Sequence, residues 1–195
     1  WSTFLKAHWK ALAASDFLSV EIWTPRGLVT HYLLFVISLA DRVVHLAGIT
    51  TNPTETWMMQ TGRNLLDSAS GALLAKQYLI TDRDTKYTEA FRRLLTDSGT
   101  TVIRLPPRSP NLNAYAEQFV RSIKGECLGR MIFVGQASLR RAVGEYLEHY
   151  HAERNHQGLG NRLIRCTSSV HVDRGAVHRR HRLGGTLNFY YRAAA

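Results

Sequence analysis

The sequence predicts an α/β fold: a mixed five-stranded sheet, three strands antiparallel and two parallel, flanked by helices. Three observations predict it. Strand-like runs at about 14–23, 31–39 and 42–50 are joined by short turns, Pro25-Arg26-Gly27 and Ala40-Asp41, which suit an antiparallel meander. Two further strand-like runs, 77–81 and 101–105, alternate with helical stretches, the pattern of crossover connections. Such crossovers are right-handed, so the fourth strand is expected parallel beside the first.

The elements follow in order. Phe4 to Leu12 reads as a short amphipathic helix, with Leu5, Trp9 and Leu12 at helical spacing. After the meander, Asn52-Pro53 suits a helix start, Asn52 as cap and Pro53 at the first helical position. The apolar stripe that follows includes Trp57, Met58, Leu65, Leu66 and Ala69. A helix around 87–98 ends at Gly99, and Pro106, Pro107 and Pro110 force a loop before a helix carrying Glu117. A further helix runs from about Ser138 to Glu153, with Leu139, Val143, Tyr146, Leu147 and Tyr150 on one face. Beyond Leu159 the pattern weakens. Gly184-Gly185 suits either a small hairpin or a lead into a short helix over Leu187 to Arg192. The division expected is a core over 1–160 and a basic C-terminal tail over 161–195, the core folding without the tail.

Composition narrows the function classes. The chain has 195 residues, 45% of them apolar, enough for a real core. Its longest mainly apolar run, Tyr32 to Leu39, is far too short to span a bilayer, and no secretory signal is visible. Trp1 in place of a starting Met is read as a missing true N-terminus. Cys127 and Cys166 make no disulfide framework and suit plain thiols in a reducing, cytoplasmic compartment. The net charge is +10, and residues 161–195 hold seven arginines against one aspartate. Such a balance points to an anionic partner, nucleic acid above all, although basic tails also serve merely to solubilise.

Three carboxylates stand out. Asp16 lies in the first strand, in parity with Leu18, Val20 and Ile22 and so in line with an apolar face, a costly place unless a cation pairs with it. Asp82 ends the fourth strand, and Glu117 sits on a helix. Two divalent cations roughly 4 Å apart can activate an attacking oxygen and stabilise the leaving oxygen of a phosphodiester. Hard cations of that type want converging carboxylate oxygens. On the Glu117 helix, Glu117, Arg121 and Lys124 fall within about 60° of one another, and Ala116, Val120, Ile123 and Cys127 cluster roughly 90° away. The bland reading of that face is a surface ion pair worth about 0.3–0.5 kcal/mol. Asp84 competes with Asp82 but also suits a cap for the following turn or helix. Glu126 reads as solvated. His149, His151 and His156 could suggest zinc, but no cysteine pair of finger spacing accompanies them.

Several segments then stand in a recognisable order: Ala14-Ser15-Asp16-Phe17, Ile80-Thr81-Asp82-Arg83-Asp84-Thr85-Lys86-Tyr87, Ser109-Pro110-Asn111-Leu112-Asn113-Ala114-Tyr115-Ala116-Glu117 with Lys124 beyond it, and Tyr150 to Leu159. Together they resemble the catalytic core of the retroviral-integrase superfamily, specifically bacterial insertion-sequence transposases of the Asp-Asp-Glu type. The tail from Arg182 to Arg192 is similar to the natural end of some members. The resemblance implies a ribonuclease-H-like fold and a polynucleotidyl transferase that nicks DNA at an element end and joins the freed 3′-hydroxyl to target DNA. It implies Asp16, Asp82 and Glu117 as catalytic and metal-holding residues, with two Mg²⁺ or Mn²⁺ ions. Arg121, Lys124, Arg154, Arg179, Arg180 and Arg182 are the expected DNA contacts. The partners implied are double-stranded DNA, both element ends and target, and further copies of the chain on DNA, with no membrane and no small-molecule cofactor. Asp84 stands where many relatives have Gly, so the local turn is expected to differ. Members normally carry a helix-turn-helix region upstream, so a fragment or decayed copy that binds DNA without transposing is the alternative. A ribonuclease-H-like host nuclease fits the Glu117-to-Lys124 helix and the Tyr150-to-Leu159 segment less well.

Overall fold

The computed structural model describes residues 1–107, 110–165 and 175–192, so Arg108, Ser109 and Cys166 lie outside the described residues. Two compact units form, Trp1–Arg121 and Ser122–Ala195.

In the first unit a helix α1, Ser2–His8, leads through a 3-10 turn into β1, Leu12–Thr24. The helix stops short of the expected Leu12 because Leu12, Ala13 and Ala14 are already paired in the sheet and buried. β2, Gly27–Ser38, pairs antiparallel with β1, and β3, Val44–Thr50, pairs antiparallel with β2. The Thr24–Gly27 turn is held by the Thr24 hydroxyl, which donates to the Gly27 carbonyl at 2.9 Å. Gly27 has φ +98°, a conformation that suits glycine.

Helix α2, Glu55–Leu65, is capped by Thr54, whose hydroxyl accepts from the Trp57 amide, rather than by Asn52. Asn52 instead sits in a turn, its amide donating to the Thr50 hydroxyl at 3.1 Å. The helix also ends before Ala69. The Asp67 carboxylate accepts from both the Ser70 amide and hydroxyl, a local bond set that competes with further helix.

β4, Tyr78–Thr81, lies parallel to β1 in the register Leu12↔Tyr78, Ala13↔Leu79, Ala14↔Ile80. Helix α3, Glu89–Asp97, is capped by Thr88 and followed by β5, Thr101–Arg104, parallel to β4. The sheet order β3-β2-β1-β4-β5 is that expected of the meander and the crossover. Side chains alternate across a strand. Ala13, Leu34, Val36 and Leu79 therefore share one face, where they pack with Met58 and Leu65 of α2 and Phe91 and Leu95 of α3. Leu12, Ala14 and Leu18 share the other face with Leu33, Phe35 and Ile37.

Helix α4, Ala114–Glu126, passes from the first unit into the second. In the first unit its Phe119 ring meets Phe35 at 4.8 Å between centroids, so α4 covers the Leu12–Ala14–Leu18 face. The second unit continues with α5, Gly135–Ala152, and a hairpin of β6, Val177–Arg182, and β7, Leu187–Arg192. The tail is thus a hairpin rather than a helix. Its Leu183 is buried, and the Leu183 amide donates to the Glu145 carboxylate of α5 at 2.8 Å. The compact units divide at 121/122, whereas the sequence reading divides the chain near 160; α5 and the hairpin share buried contacts that composition does not display. Buried Cys127 is a free thiol, pushed up to about 12 by burial and by the Glu145 charge. Among the described residues no helix is long and apolar enough to cross a membrane.

Candidate active site

The parallel pairing of β1 with β4 decides where the two aspartates lie. The ladder runs to Ala14↔Ile80, and Asp16 and Asp82 each lie two residues further on. They stand at the carboxyl end of the parallel pair, where open α/β sheets place ligands. By alternation they share the face with Ala14 and Ile80, the one covered by α4. Glu117 lies in the first turn of α4. The fold thus brings Asp16, Asp82 and Glu117 to one side and one end of the sheet.

Electrostatics reports the same grouping. Burial raises the Asp16 carboxyl from its ordinary 3.8 to about 6, against the pull of the Phe17 amide, and the charges of Asp82, Glu117 and Asp84 push it further up. The Phe17 amide donates to Asp16 Oδ1 at 2.7 Å. The Asp84 amide donates to Asp82 Oδ1 at 3.0 Å. Asp84 itself is spent differently: Oδ1 accepts from the Lys86 amide at 2.9 Å, and Oδ2 takes the Lys86 ammonium at 2.6 Å. Among the described residues no three His, Cys, Asp or Glu side chains are drawn tightly enough to hold a metal ion. Like charges of this kind repel one another, and a cation is what would relieve them. The donors are carboxylate oxygens, the chemistry that suits Mg²⁺ or Mn²⁺. In charge and donor chemistry, though not in their present spacing, the residues suit such an ion.

The raised carboxyl has a signed consequence. An acid raised on folding favours the folded state fully below its unfolded value, here about 3.8, and that advantage is lost as pH rises through about 6. Asp16→Asn, which keeps an oxygen for the Phe17 amide, should therefore stabilise the metal-free protein by about 1–2 kcal/mol at neutral pH, after discounting for solvent screening. The gain should vanish near pH 4. Thermal unfolding of both proteins across that range checks it, and equal melting temperatures at neutral pH would count against a raised Asp16 carboxyl.

Four residues of the quoted motifs support the site in ways their types did not announce. Ser15 Oγ donates to the Phe35 carbonyl at 2.8 Å, which leaves the buried Tyr87 hydroxyl to donate to Ser15 Oγ at 3.0 Å. Asn113 Nδ2 reaches the Ser15 carbonyl at 3.4 Å, linking the approach to α4 to the strand of Asp16. Tyr115 lies under the Arg42 guanidinium, 3.6 Å from its ring centroid, and Trp9 flanks the same cation at 5.2 Å. Arg42 holds φ +63° to reach there. A motif match alone could flag Asn113 and Tyr87, but Arg42 lies in no quoted segment.

The expected DNA contacts fall into two groups. Arg121 and Lys124 are exposed on α4, and Arg179 is exposed on β6. Arg154 and Arg182 are engaged internally. Arg154 pairs with Glu126 at 2.8 Å, donates to Ser122 Oγ at 3.2 Å and lies over Tyr150, so Glu126 is paired as well. Arg182 grips the Glu153 carboxylate through Nε and Nη2, the latter at 2.7 Å, and the half-exposed Arg180 adds a bond at 3.1 Å. His149 Nδ1 lies 3.1 Å from Glu153, and His156 Nε2 lies 2.7 Å from the Tyr150 carbonyl.

Comparison with known proteins agrees with this architecture. Residues 98–163 match the family model described as an integrase core domain. Over 97 residues the chain is 30% identical to an uncharacterised 39.2 kDa protein of insertion element IS476 from Xanthomonas euvesicatoria. That stretch is 49% of this chain and only 28% of the relative's length. The catalytic core domain of BIV integrase superposes with a TM-score of 0.55 at 14% identity, covering 80% of this chain and 91% of that one. The HTLV-2 integrase catalytic core, solved in complex with magnesium as a dimeric form, gives 0.58 at 11% identity, covering 80% and 93%. At such identities the likeness is one of fold.

Proposed function

We propose that the chain, which matches an integrase core domain over residues 98–163 and shares the fold of integrase catalytic cores, is the catalytic core of an insertion-element transposase, cleaving DNA strands and transferring them by metal-dependent chemistry. One observation carries the reading: Asp16, Asp82 and Glu117 gather on the α4-covered side of the sheet, at the carboxyl end of its parallel strands, where Asp16 feels the charge of the other two. These three would hold Mg²⁺ or Mn²⁺. Such ions, when bound, activate an attacking oxygen and stabilise the leaving oxygen of a phosphodiester. The protein's own share is to aim the carboxylates. The Phe17 and Asp84 amides fix one oxygen each of Asp16 and Asp82, and Asn113 ties the start of α4 to β1. DNA is the proposed substrate, and copies of this chain are the proposed partners on it.

Arg121 and Lys124 lie beyond Glu117 on the same helix and are exposed, placed to meet phosphates. Phosphate contacts position DNA but read no sequence. Lys124→Ala should therefore weaken binding across all DNA sequences and flatten the salt dependence by about one unit of slope. Binding measured at several salt concentrations checks this. An unchanged slope with a stability loss under about 1 kcal/mol would instead mark Lys124 as an ordinary surface charge.

A further inference from the structure

The arginines of the C-terminal hairpin divide between two faces. In an antiparallel pair, residues directly opposite each other share a face. The register sets His178, Arg180 and Arg182 with Tyr191, Phe189 and Leu187. It sets Val177, Arg179 and His181 with Arg192, Tyr190 and Asn188. The first face is the inner one. Arg182 and Arg180 hold the buried Glu153 carboxylate there, Phe189 stacks on Tyr191 at 5.9 Å, and Arg180 lies over Tyr191 at 5.2 Å. The second face is open: all six of its residues are exposed, Tyr190 by 60%.

Residues 175–192 contain no Asp or Glu, and among the described residues the carboxylates bonded to this hairpin are Glu145 of α5 and Glu153 at its C-terminal end. Glu153 neutralises charge on the inner face and leaves Arg179 and Arg192 on the outer one. Asn188 Oδ1 accepts from Arg179 Nε at 2.9 Å and so steers that guanidinium along the outer face. Arg192 donates to the Gly175 carbonyl at the open end of the ribbon.

We propose that this outer face, Arg179, His181, Tyr190 and Arg192, is a docking surface for duplex DNA, with α5 serving as its mount through Glu153. A two-stranded β-ribbon has the width that the major groove of B-DNA admits. Strands of six residues span about 20 Å, enough to lie along that groove. Arg179 and Arg192 are diagonal neighbours, about 7–8 Å apart at the backbone, and can each meet a phosphate, with Tyr190 directly opposite Arg179 on the same face. The proposal rests on the reading of the chain as a DNA-processing core, and it assigns part of the tail's affinity to two of its seven arginines.

The test is binding of the full chain to a labelled duplex and to a single strand of the same length, in EDTA, over a series of salt concentrations. Arg179→Ala with Arg192→Ala should make the salt dependence of duplex binding shallower by about 1.8 units of slope and lower affinity at physiological salt by about tenfold or more. Arg179→Lys with Arg192→Lys should restore most of both, since phosphate accepts either cation. Melting temperatures should match the parent's, because neither side chain is buried. Parent-like slope and affinity in the double alanine variant would overturn the proposal. An equal loss on the single strand would overturn its assignment to duplex. No divalent cation is present in these assays, so failure here leaves the carboxylate site to be judged by its own chemistry.

Discussion

Asp16→Asn, Asp82→Asn and Glu117→Gln should each lower metal-dependent nicking of DNA by on the order of a thousandfold, while DNA binding in EDTA stays within a few-fold of the parent. Each substitution keeps the side chain's size and removes its negative charge. The loss is therefore one of metal holding and not of packing. Calorimetry with Mn²⁺ should show correspondingly weaker binding in all three variants. Asp84→Asn is the informative control. Its carboxylate already holds the Lys86 ammonium at 2.6 Å and caps the turn that follows β4, so its loss should cost about tenfold or less. Nicking by Asp84→Asn as poor as that of Asp82→Asn would reverse the assignment between them. Parent-like metal binding in all three triad variants would sink the site altogether and leave DNA binding without chemistry as the better reading.

The legibility of this site follows from how local its determinants are. Asp16 could be placed in line with an apolar face because strand parity is a two-residue rule, and the β1–β4 pairing follows from handedness and chain order alone; that α4 covers this face is shown only by the structure. Helix caps were less legible. Asn52-Pro53 and Thr54-Glu55 are both good starts, and the choice fell to the Thr50 hydroxyl, which holds Asn52 in a turn. Arg42 was hidden for a different reason. It reaches the Trp9 and Tyr115 rings only because the β2–β3 turn adopts a left-handed conformation there, and no spacing rule connects residues so far apart in sequence. Composition read the tail arginines as one basic patch. The structure separates them by strand parity, because a single buried carboxylate on α5 takes the guanidinium of Arg182 and part of that of Arg180.

That carboxylate sets the second large effect: Arg182→Ala should cost about 2–4 kcal/mol of stability at neutral pH. Only 1% of the Glu153 side chain is exposed, against 21% for Arg182. Burial alone would raise the Glu153 carboxyl, but hydrogen bonds from Arg182, His149 and Arg180 outweigh it and hold the group at about 2, below its ordinary 4.5. A depressed acid contributes stability that is fully present above its unfolded value and is lost as pH falls through its folded one. The parent should thus lose stability between about pH 4.5 and pH 2, and Arg182→Ala should show a shallower decline over that window. Charge removal on both sides, Arg182→Ala with Glu153→Gln, should recover part of the loss, because the cost lies mainly in leaving a buried charge unpaired. A chain ending at Gly160 lacks both arginines and the buried Leu183, and its second unit should unfold at lower temperature than the parent's. Calorimetric unfolding of the parent and these three variants decides the matter. Unchanged melting on truncation would return the hairpin to the status of a separable tail, with the core boundary near 160. Lower melting together with a flattened acid response would make the hairpin and α5 one structural body, joined at Glu153.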